Sequence, residues 1–181
     1  SYNGQKVGYT DGKFFVDNGP ADTEDVDPGE DHIHCLCGDK QGAGCDHEAG
    51  DVWQLWNSTT SLPTQAGKYY LTKDIQLTAN YSVPADYALY LDLNGKAIKA
   101  ASGYRAFHVS SSNAKLVITD TSIEGAGFIQ GSNMGTKGGG TIYLGNTYAT
   151  AVLFRGHIVG GTAKYGGNVY ANPGRFIMNG G

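Results

Sequence analysis

Two phrases in the last third of this chain recur in the same order. Gly139-Gly140-Thr141-Ile142-Tyr143 returns 27 residues later as Gly166-Gly167-Asn168-Val169-Tyr170. Val152-Leu153-Phe154-Arg155-Gly156 is echoed by Phe176-Ile177-Met178-Asn179-Gly180 at an offset of 24. A repeat of roughly 20–50 residues marks a solenoid, because each unit is too small to bury its own apolar face and must stack on its neighbours. The two offsets predict coils of 24–27 residues.

The text before the repeat has the same character. Strand-like runs occur at Tyr69-Tyr70-Leu71-Thr72, Ile75-Gln76-Leu77-Thr78, Ala88-Leu89-Tyr90-Leu91-Asp92-Leu93, Phe107-His108-Val109, Lys115-Leu116-Val117-Ile118-Thr119 and Gly127-Phe128-Ile129. Each is short, and Gly, Asn or Asp punctuates most of the joins, which predicts an all-β fold with many small strands. The 12 Tyr and 6 Phe favour strands, and 28 Gly suit tight corners. Coils of short strands without a helical segment predict a parallel β-helix over residues 68–181. Its last run stops at Gly180-Gly181 without a capping segment, so the natural chain is expected to continue, or a partner to cover this end.

The opening third differs. Residues 1–51 carry a net charge of −9, against +5 for residues 52–181. Thr10-Asp11-Gly12-Lys13 before Phe14-Phe15-Val16 predicts a hairpin. Residues 20–31 hold six acids and no base; they read as a solvated linker, and the spacing of Asp22, Glu24 and Asp27 does not reproduce the EF-hand calcium loop. Trp53 and Trp56, at i and i+3, predict a short helix with both indoles on one side, plugging an end of the core. The expected organisation is therefore a hairpin and linker over 1–31, a cap over 32–67 and the β-helix over 68–181.

The cap holds all three cysteines and three of the five histidines within residues 32–47. A disulfide, Cys35–Cys45 or Cys37–Cys45, leaves one thiol over. A metal reading uses all three. Cys35, Cys37, Cys45 and His47 form a Cys₃His set suited to tetrahedral zinc. In an extended strand Cys35 and Cys37 share a face, and His32 and His34 take the other, which makes the two histidines second choices as ligands. The C-x-C spacing is tight, so either could replace a cysteine. Four filled positions make a structural zinc; three ligands and an open fourth would make a catalytic one.

His32-Ile33-His34-Cys35-Leu36-Cys37-Gly38, the Gly44-Cys45-Asp46-His47 arm, Trp53-Gln54-Leu55-Trp56, Leu62-Pro63, Gly67-Lys68-Tyr69-Tyr70-Leu71-Thr72-Lys73-Asp74-Ile75 and Leu91-Asp92-Leu93-Asn94-Gly95 follow one another in that order. The series resembles large cell-surface or secreted proteins of anaerobic Gram-positive gut bacteria with right-handed, pectin-lyase-like β-helix regions. The resemblance covers about residues 32–181. It implies a right-handed helix and an extracellular or bacterial cell-surface location, and it carries no catalytic residue across.

Composition limits the function further. No run of 18 apolar residues could span a membrane as a helix, and no dense Lys/Arg cluster suggests nucleic acid. The mildly basic array suits acidic glycans, an attraction that physiological salt screens within about 8 Å. Beyond residue 68 the only acids are Asp74, Asp86, Asp92, Asp120 and Glu124. Asp92 and Asp120 sit in turn-like phrases, and no pair stands one coil apart beside a base, as polysaccharide cleavage needs. His108 and His157 read as ordinary packed or surface histidines, and Arg105, Arg155 and Arg175 as surface or corner residues. The sequence thus predicts a non-catalytic surface module, an adhesin or spacer with structural zinc, whose partner is a glycan or a host surface protein. The alternative is a fragment of a β-helix polysaccharide lyase or glycoside hydrolase that completes its site elsewhere.

Overall fold

Every regular element among the described residues is a β-strand. The computed structural model describes residues 6–10, 13–17, 32–34 and 51 as strand backbone, and residues 52–122 and 125–181 with their side chains. The chain divides into two compact units, Ser1–Glu30 and Asp31–Gly181. In the first, β1 (Lys6–Thr10) and β2 (Lys13–Asp17) pair antiparallel with Thr10 opposite Lys13, the hairpin expected from the Asp-Gly turn.

The second unit begins with β3 (His32–His34) and β4 (Asp51–Trp56), which are antiparallel to each other. Twelve strands then follow as four triplets. They are β5 (Gly67–Leu71), β6 (Ile75–Gln76) and β7 (Tyr81–Ser82); β8 (Ala88–Asp92), β9 (Ala97–Lys99) and β10 (Phe107–Val109); β11 (Lys115–Thr119), β12 (Phe128–Gln130) and β13 (Ile142–Leu144); and β14 (Thr150–Leu153), β15 (His157–Val159) and β16 (Val169–Ala171). The final strand is β17 (Arg175–Met178). The first members of the triplets, with β3, β4 and β17, build a seven-stranded sheet; the second and third members build a four-stranded sheet each. Every pairing between triplets is parallel. This is the solenoid-like stacking of a parallel β-helix: each coil visits three sheets and rises to the next.

The core runs up the middle as columns of like residues. Ile75, Ile98, Ile129 and Ile158 stack in register on the sheet of second members, and Leu91, Ile118 and Leu153 on the long sheet. Leu91, Ile98, Ile118 and Ile129 are fully buried, each such side chain contributing about 1.5–3 kcal/mol through burial.

The coil lengths vary more than the repeat suggests. Lys115 pairs with Ala88, 27 residues back, and with Thr150, 35 residues on. Thr150 pairs with Arg175 after 25, and Gly67 with Leu89 after 22. The longest coil among the described residues takes its extra length between β11 and β12 and in the corner 131–141 between β12 and β13. The first repeated phrase holds, with Ile142 opposite Val169 and Tyr143 opposite Tyr170. Its leading glycines explain themselves: Gly139 and Gly166 have φ of +67° and +52°, and a Cβ on either would strike the carbonyl oxygen of Ile142 or Val169. The second phrase is corrected by one residue. Val152 lies opposite Ile177, and inward-facing Phe176 stacks on Ala151. An offset of 24 would have set Phe176 on outward Val152, and a slip of one residue turns a strand inside out.

The expected helix at the tryptophans is also corrected. Residues 51–56 form β4, paired along one edge with β5. In a strand, i and i+3 point to opposite faces. Trp56 packs against the core, edge-on to Tyr69 at 5.8 Å, while Trp53 is buried separately at 1% exposure. Sheet pairing with β5 outweighs the weak helical preference of this short run.

Candidate functional site

The carboxylates settle first, because their surroundings fix what they can do. Asp92 and Asp120 are fully buried. Asp92 Oδ1 accepts the backbone N–H of Asn94 at 2.8 Å and of Thr121 at 2.9 Å, and its Oδ2 accepts the Thr121 hydroxyl at 2.6 Å. Asp120 accepts the N–H groups of Gly95 and Gly127 at 2.8 and 2.7 Å. Corner backbone cannot use the sheet ladders, so these side chains supply the missing acceptors, one coil to the next. Asp74 does the same for Ala97 N–H at 2.9 Å. The turn chemistry read for Asp92 and Asp120 is present, with the added feature that it joins coils.

The outer face of the four-stranded sheet β7–β10–β13–β16 carries a different set. His108, Tyr143 and Tyr170 occupy one outward column across three coils, in direct register. The rings meet in series: His108 lies tilted by 32° against Tyr143 at 5.3 Å, Tyr143 stacks on Tyr170 at 5.8 Å, and Tyr165 stacks on Tyr170 at 5.8 Å. Beside the column a cleft of about 410 Å³ is lined by Asn80, Arg105, His108, Lys137, Tyr143 and Tyr170 among others. Among the described residues no carboxylate lines it.

Two corners position this lining. The corner ahead of β10 turns at Gly103, with φ +77°, and Asn80 Oδ1 accepts the Arg105 N–H at 2.9 Å. The long corner 131–141 folds over it, with the Ser132 hydroxyl donating to Tyr104 O at 2.6 Å. That corner is held from the far side by Met134 N–H to Thr162 O at 2.7 Å, and it delivers Lys137 to the rim. The extra residues of the longest coil thus build one wall of the cleft.

Arg105 is the unusual member. It is 7% exposed, and its guanidinium lies 4.7 Å over the ring of Tyr143. Burial pulls its proton affinity below the ordinary value, opposed by Tyr143; an arginine nonetheless stays charged. Burial, and after it the Arg105 charge, hold the His108 imidazole less basic than usual. The cleft is therefore cationic at Arg105 and Lys137 and aromatic along one side, with a largely neutral imidazole at physiological pH.

The site residues expected from the sequence fall differently. Cys35, Cys37, Cys45 and His47 lie outside the described residues, as does the acidic run 20–31. His32 and His34 stand on β3, opposite Trp53 and Asp51. His157 is exposed on β15 and Arg175 is exposed on β17; Arg105 is the corner residue expected, in the turn ahead of β10, but it is buried. Tyr104, Tyr148 and Tyr165 are exposed, and Tyr69 and Tyr70 are buried. The grouping of Arg105 and His108 with Tyr143 and Tyr170 was missed because the residues are read singly in sequence. The signal that could have found it is the shared inward–outward–inward pattern of Phe107-His108-Val109, Ile142-Tyr143-Leu144 and Val169-Tyr170-Ala171.

Compared with protein-family models, with curated proteins and with solved structures, the chain gives no match.

Proposed function

We propose that this chain is a non-catalytic extracellular or cell-surface module in which a right-handed β-helix presents a basic, aromatic face to a glycan or a host surface protein. A zinc ion held by Cys35, Cys37, Cys45 and His47, with His32 and His34 as alternative ligands, caps the first coil. The observation that carries the binding role is the allocation of charge: Asp92 and Asp120 are spent on corner backbone, while the cleft gathers Arg105, Lys137 and tyrosines and, among the described residues, no acid. Glycoside hydrolysis needs a pair of carboxyl groups about 5–9.5 Å apart across the scissile bond. A cationic aromatic cleft instead suits retention of a polar, acidic chain.

The test is to probe the purified chain against arrayed glycans and host surface proteins, and to incubate it with acidic polysaccharides. Binding without any unsaturated or hydrolysed product is expected. Depolymerisation by the chain would reject the non-catalytic reading; a complete lack of retention on the arrays would reject the binding role and leave a spacer.

A further inference from the structure

We infer that the cleft centred on Arg105 is an oxyanion subsite, which takes the carboxylate or sulfate group of an acidic glycan. The assignment rests on the glycan-binding reading above and narrows it to one ligand class and one cation. Buried guanidinium groups are ordinarily paired with an anion, because removing the charge from water is costly. Arg105 is more than nine-tenths buried, yet among the described residues no carboxylate pairs with it, and its Nε–H has no acceptor. Among the described residues its close electrostatic partner is the Tyr143 ring at 4.7 Å, which offsets only part of such a cost. Arg105 lines a cleft of about 410 Å³, room enough for a sugar residue, while its unsatisfied Nε–H is itself buried. Two N–H donors in a plane match the two oxygens of a carboxylate or sulfate.

The surroundings agree. Lys137 adds a second positive charge to the same lining. Tyr143 and Tyr170 stack on each other and His108 lies tilted against Tyr143, so these residues offer ring edges and hydroxyls to a ligand more than open faces. Recognition then turns on the charged group, with the hydroxyl edges ordering the ring that bears it. The groove on the long sheet, lined by Lys115, Tyr148 and Arg175, makes a useful contrast: its Lys115 and Arg175 are exposed and need no anion.

The side-chain Nε–Hε resonance of Arg105 in the nitrogen-15-labelled full chain reads the site directly and needs no variant. Methyl glucuronide, a sulfated monosaccharide, neutral methyl glucoside, sodium acetate and sodium sulfate are titrated separately. A saturable shift with a charged sugar and none with the neutral one is expected, and the stronger of the two charged sugars identifies the natural group as carboxylate or sulfate. Lys137→Ala should weaken binding by about tenfold, the order of one ionic hydrogen bond, and Arg105→Gln, which lacks the reporter and is followed by titration calorimetry, should abolish binding of the charged sugar, while Arg175→Gln leaves it unchanged. An Arg105 resonance unmoved by every anion, or moved equally by the neutral sugar, overturns the subsite even if arrayed glycans bind elsewhere. Conversely, saturation by acetate or sulfate with no glycan retained upholds the oxyanion site and rejects the glycan reading.

Discussion

The carboxylate of Asp92 takes two hydrogen bonds from Thr121, one from its backbone N–H at 2.9 Å and one from its hydroxyl at 2.6 Å, across 29 residues of chain. A third comes from Asn94 N–H at 2.8 Å. One side chain thus turns its own corner and fastens the corner of the next coil. Both ends of the interaction are buried, so loss of the acceptor leaves donors without water. Asp92→Ala should destabilise the solenoid by about 3 kcal/mol, and Asp92→Asn, which keeps one acceptor oxygen, by about 1–2 kcal/mol. Urea denaturation followed by circular dichroism gives both values; equal losses for the two variants would deny the carboxylate its linking role.

The glycines separate into two kinds. A Cβ at Gly140 would meet the Gly167 carbonyl oxygen and, at 2.5 Å, the Thr162 nitrogen. Both are backbone atoms in the neighbouring coil, so nothing can yield without parting the stack. Gly103 has φ +77° and open space around it. Gly140→Ala should therefore cost about 3 kcal/mol or more, and Gly103→Ala only about 1 kcal/mol of conformational strain. Thermal or urea denaturation of the two variants side by side checks the order; a Gly103 variant as damaged as the Gly140 variant would contradict it.

His108 gives the pH dependence its sign. Burial, then Arg105, lowers its pKa below the ordinary 6.5. On acidification the unfolded chain takes up this proton first, so stability falls as pH drops through 6.5 and levels off below the folded-state value. His108→Asn should flatten that part of the stability profile relative to the wild type. An oxyanion in the cleft would favour the imidazolium and move the titration upward. Histidine ring resonances followed against pH, with and without sulfate, measure both; a wild-type midpoint above 6.5 in the free protein reverses the sign.

Zinc is expected at one ion per chain after purification without added metal. Structural sites of this kind contribute roughly 10–16 kcal/mol of binding free energy in zinc-finger peptides, so Cys35→Ser or Cys45→Ser should empty the site and chelation should lower the melting temperature. Elemental analysis gives the stoichiometry. A metal-free protein with a Cys35–Cys45 or Cys37–Cys45 disulfide by mass spectrometry would falsify the zinc cap.

Much of the solenoid is legible in the chain because its physics is local. Alternation in Ala88-Leu89-Tyr90-Leu91-Asp92 presents Leu89 and Leu91 to one side, and stacking like on like does the rest. The two-residue strand Tyr81–Ser82 carries too little pattern to be read, and Ile75–Gln76 is shorter than the run Ile75-Gln76-Leu77-Thr78 suggests. Trp53 and Trp56 misled because their spacing suits a helix, and only the partner strand β5 decides otherwise.

The sequence by itself determined the all-β class, the approximate period and the corner role of Asp92 and Asp120, since alternation, glycine placement and Asx turns act within a few residues. Tertiary structure decided the registers and the cleft. Successive coils differ in length, from 22 to 35 residues, so distance along the chain does not tell which residues meet. Only stacking, which matches inward columns and lets corners absorb the difference, brings Arg105 and His108 to Tyr143 and Tyr170, and only burial within that stack leaves the Arg105 charge without a carboxylate partner among the described residues.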